Sequence, residues 1–333
     1  MEKWKNKLKA DPIPWLLESE PWTKLRTEID ILDTQISSLK IKNIKKEIIN
    51  DSKIVHLIQE TSDWLPVAPG RNNDPKLSYF KLRMLSDFGL SQKDKQINEI
   101  IRKTDTHKIN KLFAVRGTPP ERPKKGEKFQ KPDPFADVWH VSPCNSPMIT
   151  YSLLALGCNN SSVKNSVSEI ADLWDTPQGW FCHYFFVNSQ FKKLNAGCPM
   201  AGLMALEVFS QIPELKESKQ SKNAFAPLEF HWKIKKSIYY FGRSNKFWTL
   251  KYPFVWYNAL YLADVLTRFD FLKGHTLVQE IVDWIENSQD EKGRFKPTSM
   301  FMPYKSWSFG NKKEPSPWIT FLCCRILKRW YSQ

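Results

Sequence analysis

The chain has 333 residues, 41% of them apolar, enough to bury a large core as one repeat-built domain or as two ordinary ones. Its longest apolar runs, such as residues 148–157, are far too short to cross a bilayer, and residues 1–9 lack the apolar segment of a signal peptide. A cytoplasmic protein with its six cysteines reduced is the expectation, carrying a formal charge of +15.

Residues 1–115 read as irregular helical hairpins, over residues 14–31, the lysine- and isoleucine-rich 38–60, and 77–88, where Gly89 is placed as a C-cap. Asp74-Pro75 opens a degenerate repeat, with Leu77 and Met84 two and nine residues after the proline and Lys81 breaking the pattern at the sixth. Residues 116–138 are a Pro- and Lys-rich loop, with five prolines and six basic residues over 116–135.

Residues 139–333 hold four clear repeats. A proline opens an apolar helical run at Ser146-Pro147-Met148, Cys198-Pro199-Met200, Tyr252-Pro253-Phe254 and Ser316-Pro317-Trp318, at spacings of 52, 54 and 64 residues. Proline suits the first helical turn, where its missing amide proton has no partner to lose. Two residues on stand Ile149, Ala201, Val255 and Ile319; six on, Leu153, Ala205, Ala259 and Cys323; nine on, Leu156, Val208, Leu262 and Ile326. Steps of four and three keep these on one helix face. Such a period marks stacked units that bury their faces only against each other. Second helices follow at residues 161–174 and 276–288, each leading into a glycine-aromatic turn, Gly179-Trp180 and Gly293 to Phe295.

Gln289, Gly293 and Phe295 resemble the Q-x3-G-x-W motif of the prenyltransferase and squalene-oxidase repeat, with phenylalanine for tryptophan, and Gly179-Trp180 resembles a shortened copy. The closing stretch from Ser316 to Arg329, the opening Pro14 to Glu18, and Thr23 to Asp33 resemble the ends of squalene-cyclase-like proteins. The resemblance covers most of the chain. It implies an all-α fold, an α/α toroid of repeated helical hairpins forming one domain, with an isoprenoid or lipid ligand in a central apolar cavity and the activity of a divergent prenyltransferase or terpenoid cyclase. The D-x-D-D acid motif of the cyclases and the D-D-x-x-D diphosphate motif are both absent. Asp30, Asp33, Asp172 and Asp175 lack the spacing and read as helix surface charge. Trp248 to Lys251, after Gly242 to Lys246, supply none of the zinc ligands of the protein prenyltransferases.

The aromatic residues Trp139, Trp180, Trp248, Trp256, Tyr257 and Trp318 lie at or just before inner-helix starts. They are candidates for the cavity wall, or pack between helices. His140, Cys144, Cys182, His183 and Cys198 fall at equivalent rim positions of successive repeats, and three thiolates with one imidazole would form a zinc set; the alternative is that the cysteines are small apolar core residues. Two functions stay open: an enzyme acting on a hydrophobic isoprenoid or lipid, or a non-catalytic toroid that binds a ligand or protein partner. The lysines cluster only briefly, at residues 3–9, 40–46, 124–131 and 233–236, with no nucleic-acid motif beside them. A solvated surface explains them better than a nucleic-acid footprint, and they would lend weak attraction to anionic membranes.

Overall fold

The computed structural model of the chain describes residues 3–65, 73–117, 138–180, 197–235 and 240–332. Helices dominate them, as the periodicity predicts. The chain forms two compact units, one of Met1–Leu57, Asp87–Leu90 and Gly242–Gln333, the other of Ile58–Ser86 and Ser91–Phe241. The repeats at Pro147 and Pro199 lie in the second unit and those at Pro253 and Pro317 in the first. The N-terminal hairpin zone is divided between both.

In the first unit the C-terminal helix Pro317–Tyr331 is the centre of packing, with all residues from Trp318 to Leu327 buried. Ser316 caps it, its hydroxyl accepting the Ile319 amide at 3.3 Å. Against it pack the short helices Ile13–Leu17 (α1) and Pro21–Arg26 (α2), the 3-10 turn Lys3–Lys7, and the later helices Ala259–Leu266 and Thr276–Glu286. Residues 14–31 were read among the irregular helical hairpins. Pro21 sets the break between α1 and α2, holding the preceding Glu20 in an extended conformation. The run 38–60 divides likewise at Asp51, an extended residue whose carboxylate accepts the Lys53 amide at 2.8 Å, giving Leu39–Asn50 (α3) and Ser52–Ser62 (α4).

The third repeat departs from expectation. Pro253 opens no helix, and Val255 is non-helical. The helix starts at Ala259 because Asn258, a strong N-cap residue, accepts the Tyr261 amide at 2.9 Å. Residues 252–257 instead feed an aromatic core: Tyr252 sits edge-on to Phe309 and Trp318, and Phe254 stacks on Tyr261 at 4.4 Å between ring centres. Phe88 joins this core, stacked on Trp307 and edge-on to Trp318.

The Gln289 turn is a staple. The Gln289 side chain accepts the Lys9 amide at 2.8 Å and donates to the carbonyls of Lys7 at 2.9 Å and Glu286 at 2.7 Å. Gly293 takes a left-handed φ of 67°, and a Cβ there would lie 2.1 Å from the Ala10 carbonyl oxygen. Phe295 is fully buried, bridged to Gln289 across the turn, and its amide donates to the Thr320 hydroxyl at 2.9 Å. Thus three residues of one short motif tie the N-terminal segment to the last helix.

In the second unit, helix Ser78–Asp87 (α5) forms three residues after Pro75, and Lys81, the expected pattern-breaker, is buried within it and paired to Glu60 at 3.4 Å. Helix Lys95–Asp105 (α6) follows. Two short antiparallel pairs then appear that the sequence pattern did not predict. They are β1 (Lys108–Ile109) with β2 (Leu112–Phe113), and β3 (Val115–Gly117) with β4 (Val138–His140). The second pair joins the two ends of the Pro- and Lys-rich segment, whose residues 118–137 lie outside those described.

Asn145–Ala155 (α7) and Ser161–Leu173 (α8) match the expected hairpin. They are followed by Pro199–Phe209 (α9), Pro213–Lys216 (α10) and Lys219–Ile234 (α11). Every residue of α9 is buried, and it packs on α7, α8 and α11. A Cβ at Gly202 of α9 would lie 2.3 Å from the Ala224 carbonyl of α11, so glycine is what permits this approach. We number the first unit's later helices α12 (Ala259–Leu266), α13 (Thr276–Glu286) and α14 (Pro317–Tyr331). No helix among the described residues is long and apolar enough to cross a membrane.

Candidate functional site

Two of the expected rim cysteines occupy the same structural position. Cys144 is the N-cap residue of α7 and Cys198 that of α9, and neither uses its side chain to cap. α7 and α9 pack together in the second unit, and Cys144 is the largest influence on the Cys198 thiol. Cys198 is 7% exposed and Cys144 half-buried.

The surroundings lower the pKa of the Cys198 thiol. The Cys144 side chain lowers it most, and this outweighs the desolvation that would raise it. The amides of Ala201 and Met200, in the open first turn of α9, lower it as well. The net direction is down from the ordinary thiol value. Cys158, Cys323 and Cys324 behave oppositely, since burial pushes all three up, Cys158 to about 11. They fit the expectation of small apolar core residues.

Polar groups buried between helices surround the pair's helices. Asn145, next to Cys144, donates its side-chain amide to the Tyr79 hydroxyl of α5 at 3.3 Å. Burial raises the Tyr79 pKa well above the phenol value, with Cys144 and Asp74 adding to it, so Tyr79 stays a neutral phenol at physiological pH. One turn on, Arg83 of α5 pairs with Glu207 of α9 at 2.6 Å, the two side chains 1% and 0% exposed. The Arg83 guanidinium also lies 4.4 Å over the Tyr151 ring of α7. On α11, the buried His231 ring bonds the carbonyl of Gly197 at 3.1 Å, holding the residue that precedes Cys198. Burial lowers its pKa, and that carbonyl bond opposes the shift only in part.

The other expected residues are placed separately. His140 lies on β4, its pKa lowered by burial against backbone bonds to Val138 and Gly117. Cys182 and His183 lie outside the described residues. Among the described residues no group of three or more His, Cys, Asp or Glu side chains could hold a metal, so the expected zinc set is represented there by two thiols.

The expected wall aromatics fall in both units. In the second, Trp139 of β4 stacks on His107 at 3.7 Å, and Trp180 is half-buried after Gly179, whose φ of 56° is left-handed as the turn requires. In the first, Trp248 packs against Phe247 and Trp284, Trp256 lies 5.2 Å from Tyr257, and Trp318 is fully buried in the aromatic core. Sequence reasoning missed Tyr79, Arg83, Asn145 and Glu207. The available signal was a charge inside an apolar run, at Leu82-Arg83-Met84 and Leu206-Glu207-Val208.

No protein-family model, curated protein or solved structure matches this chain.

Proposed function

We propose that the chain is an α/α toroid of the prenyltransferase and squalene-oxidase repeat type that holds an isoprenoid or similar lipid. The repeat reading is supported by the Gln289 turn, whose glutamine, left-handed glycine and buried aromatic each have a structural task. The ligand reading rests on one observation in the first unit. The indole N–H groups of Trp22 and Trp318, both packed against Phe88, are buried with no acceptor among the described residues. Native cores rarely leave such donors unpaired, and a ligand with an oxygen on an apolar body would satisfy them. With neither acid nor diphosphate motif present, binding comes first; an activity would be that of a divergent prenyltransferase or cyclase-like enzyme.

The test is organic extraction of natively purified protein followed by lipid mass spectrometry, with a fluorescent prenyl analogue for binding. A co-purified isoprenoid or lipid, lost on Trp318→Phe or Trp256→Ala with the helical spectrum intact, is the expected result. No extracted ligand and no analogue binding would overturn the reading. A tightly held protein partner in their place would assign the chain as a non-catalytic scaffold.

A further inference from the structure

We propose that residues 32–46 form a docking surface for an anionic lipid bilayer, with Leu32, Ile36 and Leu39 entering the headgroup layer and the lysines of α3 meeting its charge. The inference is independent of the cavity reading, since it concerns the outside of the first unit. Seven large apolar residues are exposed among those described, and these three fall within one stretch of eight residues, at 39%, 63% and 72% exposure. The stretch is anchored at both ends. The Thr34 amide donates to the Glu28 carbonyl at 2.8 Å and its hydroxyl to the Glu28 carboxylate at 2.8 Å. The Ser38 hydroxyl accepts the Ile41 amide at 3.3 Å and so starts α3. Aliphatic side chains are thus held out in water close together in sequence, where a surface normally scatters them singly.

Charge selects the partner. Steps of three and four place Leu39, Lys42 and Lys46 on one face of α3, opposite the buried Ile41, Ile44 and Ile48. Each of the four acids between residues 28 and 47 already has a basic partner. Glu28 pairs with Lys40, Asp30 with Arg26 at 2.7 Å, Asp33 with Lys328 at 2.6 Å and Glu47 with Lys24 at 3.8 Å. Lys42, Lys45 and Lys46 have no acidic partner among the described residues, so positive charge is in surplus beside the aliphatic side chains. An anionic bilayer complements both features. Its headgroups attract ammonium groups without demanding a fixed geometry, and its acyl boundary takes up the aliphatic side chains. An acidic protein would match the lysines but would need a fitted pocket for each protruding side chain.

Co-sedimentation of the full-length chain with phosphatidylcholine vesicles, with and without phosphatidylserine, tests this. Binding is expected only where phosphatidylserine is present, and it should fall as salt is raised. Ile36→Ser with Leu39→Ser should weaken it by about tenfold per residue. Lys42→Glu with Lys46→Glu should weaken it by at least about fivefold per residue. All four side chains are exposed, so the helical spectrum should be retained. The same charge reversal at Lys93 and Lys222, exposed residues of the second unit, should leave most of the binding in place. No vesicle binding at low salt, equal binding to neutral vesicles, or an equal loss from the Lys93 and Lys222 pair would overturn the proposal. So would capture of an acidic protein through these residues without any binding to vesicles.

Discussion

Arg83 and Glu207 face each other across α5 and α9 with 2.6 Å between Nη1 and Oε1, each almost wholly removed from water. Two buried charges are stable there only as a pair, since either alone would keep its full desolvation cost. Arg83→Met or Glu207→Leu should therefore destabilise the second unit by about 3–5 kcal/mol. The double variant, with both charges gone, should recover most of that loss. Urea unfolding of the four proteins gives the coupling directly, and additive losses would show that the pair does not act as one.

The Gln289 staple makes a local forecast. Gln289→Ala removes three hydrogen bonds and should cost about 1–3 kcal/mol, since the Lys7 and Glu286 carbonyls and the Lys9 amide lose their partner. Gly293→Ala combines a left-handed backbone with a clash on Ala10 and should do at least as much damage. Hydrogen exchange should quicken at residues 3–9 in both variants. Unchanged exchange there would mean that the N-terminal segment is held by other contacts.

How much of this was written in the sequence can be traced residue by residue. The hairpin of α7 and α8 and the helices α13 and α14 were legible because apolar steps of three and four, an opening proline and a capping Ser316 or Asn160 all agreed. Pro253 misled because proline marks both helix starts and irregular segments; Asn258, five residues on, carried the stronger capping signal. The thiol pair was legible as Cys144 and Cys198, which stand just before equivalent helices. The ion pairs were not, although a pattern existed: Arg83, Glu207 and Arg325 each stand eight residues after a proline, at Pro75, Pro199 and Pro317. A single charge in an apolar run has no visible partner until tertiary packing supplies it. For Arg325 that partner is Asp264 of α12, at 2.7 Å.

Close helix approach supplies a further forecast. Gly202 lets α9 come against the Ala224 carbonyl, where an added methyl would lie 2.3 Å from the oxygen. Gly202→Ala would raise helix propensity in an ordinary helix by about 1 kcal/mol. Here the overpacking cost, about 1–3 kcal/mol, should win and the variant should be less stable. A raised thermal midpoint would show that the two helices part without loss.

Acid should weaken the fold in two stages. His231 and His140 have pKa values lowered chiefly by burial from an ordinary 6.5, so their folded rings stay neutral where unfolded ones take up protons. Stability from them is full above 6.5 and declines as pH falls below it towards the folded values. Asp30 behaves by the opposite cause. Burial would raise its pKa, yet Arg26, Arg325 and Arg329 together hold it below the ordinary 3.8. A depressed carboxyl adds stability that is complete above 3.8 and is lost as pH drops through its folded value. Urea midpoints followed downwards from neutral pH should show a first decline starting near 6.5 and a second below 3.8. His231→Gln should make the first shallower, with His140 supplying the rest, and Asp30→Asn should flatten the second, each leaving the other in place. A midpoint that holds level as pH falls through 6.5 would mean that the histidines are as free to protonate in the folded chain as in the unfolded one.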